Sequence, residues 1–299
     1  MRRLLALLLA LLPTALVAAP TVAGATAAQT RPADDTRRGL LYAGLQRSAP
    51  TGTCGGGFEL AFHDRLSTLA SQILCTHGPD PAPEGVDVRQ ARDSRAVMAT
   101  AAPATAAAAA TTVPCYGTGS DGYRVQLVYA HSSASADRFD SFSASFVAAA
   151  ARVDDVADAS AAQTGGTRHV RFVTNGACQP VIDRVTLSPS GMGDFNTMIS
   201  ELRTQGYTRT DRKYLVWADA NQYCGIAQVY HDDSAATTPG ANASNGNTRV
   251  AGEVARVDNG CWAMTNSVEA HELMHTLGGV QTSAPNATPA NHCTDDADR

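Results

Sequence analysis

Two histidines four residues apart, His271 and His275, are the residues best suited to chemistry, and Glu272 directly follows the first. On an α-helix, residues four apart lie one turn above each other, so both imidazoles could bind one metal ion. Zn²⁺ held by three protein groups keeps a position for water and lowers the pKa of that water to about 7. Glu272 lies about 100° round the helix from His271, where it could accept the proton of that water and deliver it to a leaving amine. The pattern predicts a zinc site in which Glu272 is catalytic and both histidines are ligands.

The flanking residues favour a helix here. Asn266 is a good N-cap, and Glu269 stands three residues later, where a capping-box acid belongs. The pair Gly278-Gly279 follows the last helical residue, where a left-handed cap is expected. Val268 shares the face of the two histidines, and most of the opposite face is apolar: Ala270, Leu273, Met274 and Leu277. We therefore expect a helix buried between two lobes, with its histidines facing a cleft.

Composition indicates an ordinary folded chain that is exported. The chain has 299 residues, of which 44% are hydrophobic and 17% charged, and a net charge of −5 argues against a nucleic-acid partner. Residues 1–28 combine Arg2-Arg3, an apolar run from Leu4 to Leu12 and small residues, which is typical of a secretory signal peptide. Pro13 interrupts the run too early for a membrane span. We expect a secreted monomer without membrane attachment once the signal is removed.

The seven cysteines indicate a disulfide framework, because exported proteins meet an oxidising compartment. None of them forms a C-x-x-C pair, which argues against a cysteine zinc site. A bond between Cys54 and Cys75 is plausible. An odd number leaves one cysteine over, and Cys293 lies close to Arg299. We hypothesise that its partner lies beyond Arg299, in a longer protein.

The region before the predicted catalytic domain, residues 29–98, has no assignable role. Phe58 to Leu74 carries leucines at helical spacing and predicts a helix that ends before Gly78. We expect His63 and His77 to face solvent rather than bind metal. Residues 99–112 are rich in Ala, Thr and Pro and predict a linker, so that 113–299 form the catalytic domain.

Strands alternate with helices from Cys115 onward, which predicts an α/β fold with a mixed, mostly parallel sheet. The metal-binding helix should pack beneath that sheet. A loop rich in Gly, Asn, Ser and Thr, Thr237 to Thr248, leads toward that helix. The predicted strands are Arg124–Tyr129, Val170–Val173, Val181–Leu187, Tyr214–Ala218 and Gly225–Tyr230, the last suited to a sheet edge because Gln228 interrupts it. The predicted helices are Phe139–Val153 and Phe195–Leu202, the second ended by Gly206.

This order of elements, followed by His271-Glu272-Leu273-Met274-His275-Thr276-Leu277-Gly278, resembles the metzincin-type zinc metallopeptidases. More narrowly, the chain is similar to a group of secreted actinobacterial zincin-like proteins in residues 165–173, 207–214 and 278–295. The resemblance covers roughly 115–299. It implies a zincin-like α+β fold, one catalytic zinc ion, and a protein or peptide substrate that pairs with an edge strand above the cleft. That strand would here be Gly225–Tyr230.

The chain departs from the metzincin pattern at two points. The third ligand, His or Asp, stands three residues after the glycine, a position occupied here by Gln281, whose neutral amide suits zinc poorly. No methionine follows Met274, where metzincins carry a methionine turn below the metal. In the narrower group a Met-Cys pair follows the acidic run, so the resemblance implies that the chain continues beyond Arg299.

The third ligand is therefore open. His292 is the first choice, since the 16 residues after His275 can fold back under the helix and imidazole suits zinc. Asp295 and Asp296 come next, and Gln281 last. The acidic run could instead be a solvated turn or a structural Ca²⁺ site.

Three functions compete at this point. The first is a secreted zinc endopeptidase that uses Glu272 as general base. The second is a catalytically inactive zincin-fold module that binds cell-surface or extracellular polymers, which Gln281 at the usual ligand position keeps open. The third is a structural cell-envelope protein, which leaves the helix with two histidines unexplained. The retained Glu272 favours the first, because a binding module has no use for a base at that position.

Overall fold

The computed structural model describes residues 31–60, 74–101, 113–229, 252–281, 284–288 and 291–294. The predicted signal peptide, most of the predicted linker, the Thr237–Thr248 loop, His63, Asp295 and Asp296 lie outside these ranges. Eight strands form one sheet in the order β1-β2-β3-β7-β8-β6-β4-β5. Their bounds are β1 Leu45–Arg47, β2 Phe58–Leu60, β3 Leu74–Asp80, β4 Arg124–Ser132, β5 Ile182–Leu187, β6 Arg212–Ala218, β7 Gly225–Gln228 and β8 Glu253–Asp258.

The sheet is mixed, as predicted, but it is not mostly parallel. Three pairs of strands are parallel: β8–β6, β6–β4 and β4–β5. Four pairs are antiparallel: β1–β2, β2–β3, β3–β7 and β7–β8. The antiparallel half exists because β1, β2 and β3, which precede the predicted linker, extend the same sheet. The prediction of a mostly parallel sheet considered only the strands after the linker, and was wrong for that reason.

Helices cover both faces of the parallel half. They are α1 Ser94–Ala101, α2 Phe139–Ala162, α3 Pro189–Gly193, α4 Phe195–Thr204 and α5 Val268–Thr276. Helices α2 and α5 pack over one face, where the ring of Phe146 contacts the rings of Trp217 and Trp262. Helices α3 and α4 pack on the other face through Met192 and Phe195. Both faces of the central strands are buried. The fold combines α-helices with a mixed β-sheet and fits the general α+β class.

Most elements after the linker lie where the sequence predicts them: β4, β5, β6, β7, α2 and α4. The predicted strand Val170–Val173 is reduced to a single bridge between Phe172 and Val125. The reason is local, because the N–H of Val170 donates to the carboxylate of Asp154 at 2.7 Å instead of to a neighbouring strand.

The predicted helix over 58–74 is wrong at both described ends. Phe58 lies in β2 and Leu74 in β3, and these strands pair antiparallel, with Leu60 opposite Leu74. Leu60 and Leu74, the two described leucines of this stretch, are buried in the core against the sheet. The predicted disulfide between Cys54 and Cys75 is confirmed and joins the segment before β2 to β3.

Strand β7 is not an edge strand, so this prediction was also wrong. It lies between β3 and β8, and Thr76 of β3 faces Gln228 while Asp80 faces Gly225. The backbone groups expected to remain available for a peptide are bonded to a strand of the same chain. Gln228, which suggested an edge, is buried and accepts a hydrogen bond from Val254 N at 2.9 Å.

Two further disulfides join Cys115 to Cys178 and Cys224 to Cys261. Three disulfides are typical of proteins that fold in an oxidising compartment. Within the described ranges, no helix has the length and apolar character that crossing a membrane requires.

Candidate metal centre

Helix α5 begins through contacts that differ from those expected, whereas its end is as expected. Its N-cap is Ser267, in a left-handed conformation with φ 48°, and no side chain caps the helix there, so the predicted Asn266 cap was wrong. Glu269 does not form a capping box either, because its carboxylate accepts hydrogen bonds from Trp217 Nε1 at 3.0 Å and Ala263 N at 2.6 Å. These bonds tie the start of the helix to β6. The predicted left-handed end is confirmed, with Gly278 at φ +82°.

The orientation of α5 follows from the residues that it buries. Leu273 and Ala270 are buried against β7, β8 and α2. Met274, which the helical wheel placed on the buried side, is 44% exposed, so that assignment was wrong. The buried arc is narrower than predicted, and it leaves His271 and His275 facing the antiparallel half of the sheet.

The structure brings the three predicted histidines together. The Nε2 atoms of His271 and His275 lie 3.1 Å apart. The ring of His292 lies 4.9 Å from that of His275 and 5.4 Å from that of His271, measured between centroids. Gln281, the last candidate, donates from its amide to the carbonyl of Gly278 at 3.1 Å. Of the candidate third ligands within the described ranges, His292 is the one placed beside both helix histidines.

His77 is the principal correction to the sequence-based predictions. It was expected to face solvent, but it is buried and its ring stacks on His275 with centroids 3.9 Å apart. Its Nε2 lies 3.2 Å from Glu272 Oε2 and accepts the backbone N–H of Ala227 at 3.2 Å. The physical reason is that the segment around it is strand β3, inside the sheet, rather than the end of a surface helix.

Asp80, the last residue of β3, was not considered from the sequence. One of its carboxylate oxygens lies 2.7 Å from His271 Nε2 and the other 3.0 Å from His292 Nε2. The only signal in the sequence was the three-residue spacing from His77 to Asp80. Gly78 and Pro79 between them indicated a turn and concealed the strand.

These side chains form two overlapping groups that could hold a metal ion, with Asp80 in both. One group contains His77, Asp80, His275 and His292, and the other contains Asp80, His271 and Glu272. Imidazole nitrogens and carboxylate oxygens are the donors that zinc and related divalent ions bind in proteins. Two imidazole Nε2 atoms that face each other at 3.1 Å, beside a carboxylate, therefore fit a metal ion as a shared partner.

Burial governs the electrostatics of the centre. It lowers the pKa of His77 to about 3 and holds the pKa of His275 well below its ordinary value, so both imidazoles are neutral and able to bind metal. Burial, reinforced by the negative charge of Asp80, raises the pKa of Glu272 well above its ordinary value. Burial also opposes ionisation of Asp80, yet the neighbouring imidazoles outweigh it and hold the Asp80 pKa well below the usual range. Of the two carboxyls, Asp80 is the one that carries the negative charge.

A cavity of about 980 Å³ opens beside the centre. One wall is the segment that follows β3, from Asp80 to Val86, and the opposite wall includes Val268 and His271 of α5 together with His292. His271 and His292 keep about a quarter of their side-chain surface exposed, at 28% and 25%. Glu272, in contrast, has no exposed surface.

Comparison with models of known protein families, with curated proteins and with solved structures gives no significant match for this chain.

Proposed function

We propose that this protein is a secreted zinc-dependent endopeptidase of the metzincin type. One observation carries the proposal: His271 and His275 project their Nε2 atoms to within 3.1 Å of each other from one face of α5, while Glu272 lies beside them in the same buried turn. A helix that served only the core would not converge two imidazoles and a carboxyl on one point.

The roles of the residues follow from their donor atoms. His271, His275 and His292 would hold the ion through imidazole nitrogens. When bound, zinc in such a site lowers the pKa of water and polarises a carbonyl group. Glu272 would accept a proton from water and release it to the amine nitrogen that leaves the cleaved peptide bond. Burial raises the pKa of Glu272, so its carboxyl holds a proton more readily than an exposed carboxyl does, which is what delivery to a leaving amine requires.

A second candidate is a catalytically inactive module that binds extracellular polymers through the same fold. The observation in its favour is that Glu272 is fully buried and its carboxyl contacts His77. The module would retain the metal ion or only the shape of the fold, and it differs from the peptidase in that Glu272 transfers no proton.

The experiment measures bound zinc and casein hydrolysis on the purified full chain and on its Glu272→Gln variant. The amide keeps the size of the side chain but cannot accept a proton, so we expect about one zinc per chain in both proteins and a rate at least about 100-fold lower in the variant. Asp155→Asn, on the exposed side of α2, is the matched control and should retain both properties. Hydrolysis by Glu272→Gln equal to a measurable wild-type rate would exclude the peptidase, and so would absence of bound zinc. Zinc without hydrolysis in every variant would favour the binding module.

A further inference from the structure

We propose that Asp80 is a fourth protein ligand of this metal centre and that it closes the centre against water and substrate. The inference rests on the metal site of the proposed function and adds a ligand from the other side of the predicted linker. Its starting point is the placement of the Asp80 carboxylate, which lies 2.7 Å from His271 Nε2 and 3.0 Å from His292 Nε2.

Among the carboxylates near the histidines, Asp80 is the better placed to bind a cation. Its two oxygens face the Nε2 atoms of two of the proposed histidine ligands, His271 and His292, whereas the Oε2 of Glu272 contacts His77 at 3.2 Å. His77 also faces this group, but its ring is stacked on His275, and its Nδ1 lies 3.8 Å from Asp80 Oδ1, farther from that carboxylate than His271 and His292 are.

The number of protein ligands then decides whether the site is open or closed. Zinc in proteins is usually four-coordinate, and a catalytic site retains one position for water, whereas a site with four protein ligands is closed. His271, His275 and His292 supply three donors. Asp80 supplies the fourth, so the arrangement described here corresponds to a closed site.

Strand β3 blocks the rest of the site as well. It is hydrogen-bonded to β7, and its last residue, Asp80, lies opposite Gly225. Three positions earlier, His77 covers the carboxyl of Glu272. The same strand therefore occupies the open metal position, contacts the proposed general base and fills the sheet edge where an extended peptide could pair. Substrate can enter only when Asp80 leaves the ion.

The test uses Co²⁺ in place of zinc in the full chain, because Co²⁺ absorption reports the ligands and does not depend on hydrolysis. Asp80→Ala removes the carboxylate, and Asp80→Asn replaces it with a neutral group of the same shape, which guards against a folding defect in either variant. Asp155→Asn is the control. We expect both Asp80 variants to retain one metal ion per chain, to change the visible spectrum, and to bind acetohydroxamate at least about tenfold more tightly than the wild type, as an open position requires.

An unchanged spectrum, or equal hydroxamate binding in wild type and both variants, would overturn the assignment of Asp80. Loss of the metal ion from both variants would overturn closure, because Asp80 would then be required for metal binding. Casein hydrolysis by the zinc forms separates this proposal from the proposed function. We expect at least about tenfold faster hydrolysis by Asp80→Ala, and none by Asp80→Ala combined with Glu272→Gln. If the spectrum and hydroxamate binding change but no variant cleaves casein, the closing ligand stands and the peptidase does not.

Discussion

The backbone of Gly225 in β7 lies directly against the carboxyl of Glu272 in α5. A β-carbon at residue 225 would lie 1.9 Å from Glu272 Oε1 and 2.5 Å from its Cδ, which is far inside van der Waals contact. Glycine is therefore required at this point of the strand, because only a residue without a side chain allows the sheet and the helix to approach so closely. The contact holds the Glu272 carboxyl in one place between β7 and His77.

Gly225→Ala should displace Glu272 without touching a proposed metal ligand. We expect bound zinc to remain near one per chain and the hydrolysis rate to fall by about 100-fold, the lower end of the contribution of a general base. The rate is best measured in the Asp80→Ala background as well, so that a low basal rate does not conceal the loss. Gly193→Ala, at the end of α3, is the matched control because a β-carbon there meets nothing within 4 Å. Retained hydrolysis in Gly225→Ala would contradict a positioning role for this contact.

Removal of the metal ion should destabilise the whole protein, since the proposed ligands come from β3, α5 and the segment that contains His292. A ligand that binds only the folded state stabilises it by about 4 kcal/mol at 1,000 times its dissociation constant. For a chain of this size, we expect chelation to lower Tm by on the order of 10 °C, and added zinc to restore it. The measurement is thermal unfolding followed by circular dichroism. An identical Tm with and without chelator would show that no ion binds the folded protein.

Arg256 and Asp258 form a fully buried ion pair in β8, with Nε 2.6 Å from Oδ1. Asp258 Oδ2 also accepts the backbone N–H groups of Gln222 and Tyr223 at 2.8 and 3.0 Å, which fixes the loop that leads into β7. Arg256→Met should leave the Asp258 charge buried without its cation and lower the free energy of unfolding by about 3–5 kcal/mol.

Urea unfolding monitored by tryptophan fluorescence measures this loss. Arg184→Met provides the comparison, because Arg184 pairs with Asp137 and Asp140 on the protein surface, where ion pairs contribute little. A similar loss of unfolding free energy in the two variants would show that the buried Arg256–Asp258 pair stabilises the protein no more than a surface pair does.

A pH dependence is expected at Asp211, immediately before β6. Hydrogen bonds from the Arg209 guanidinium, aided by the charge of Arg212 and opposed by partial burial, lower the pKa of this carboxyl below 3.8. A carboxyl with a lower pKa in the folded state adds stability above the unfolded value and loses it as the pH falls through the folded value. Asp211→Asn should therefore be less stable than the wild type by up to about 1 kcal/mol at neutral pH. Urea unfolding at decreasing pH should show this difference in stability shrinking below pH 3.8. A difference that stays constant with pH would contradict the assignment.

The sequence predicted the elements whose hydrophobic pattern is regular. The apolar run of β6 and the phenylalanines of α2 bury the residues that their periodicity indicates. Strand β8 received no prediction, although it lies in the middle of the sheet and is buried along its length. Its charged residues suggest a surface segment, and only the tertiary contacts of Arg256 and Asp258 show that these charges neutralise each other.

The candidate site was predictable in the part that lies within one helix. His271, Glu272 and His275 are neighbours because α5 makes them so, whereas His77 and Asp80 reach them through the pairing of β3 with β7, across more than 140 residues of chain. That pairing depends on a strand interrupted by Gly78 and Pro79, and no local pattern reveals it. The prediction of His292 required only a loop long enough to fold back.

The arrangement of the disulfides has a consequence for a nicked form of the protein. The first 101 residues contain two cysteines, Cys54 and Cys75, which are bonded to each other. No covalent bridge can therefore join that part of the chain to the part after residue 112 once the backbone between them is cut. Such a protein would migrate as two pieces on a denaturing gel without reductant, and the piece that retains α5 would lack both His77 and Asp80.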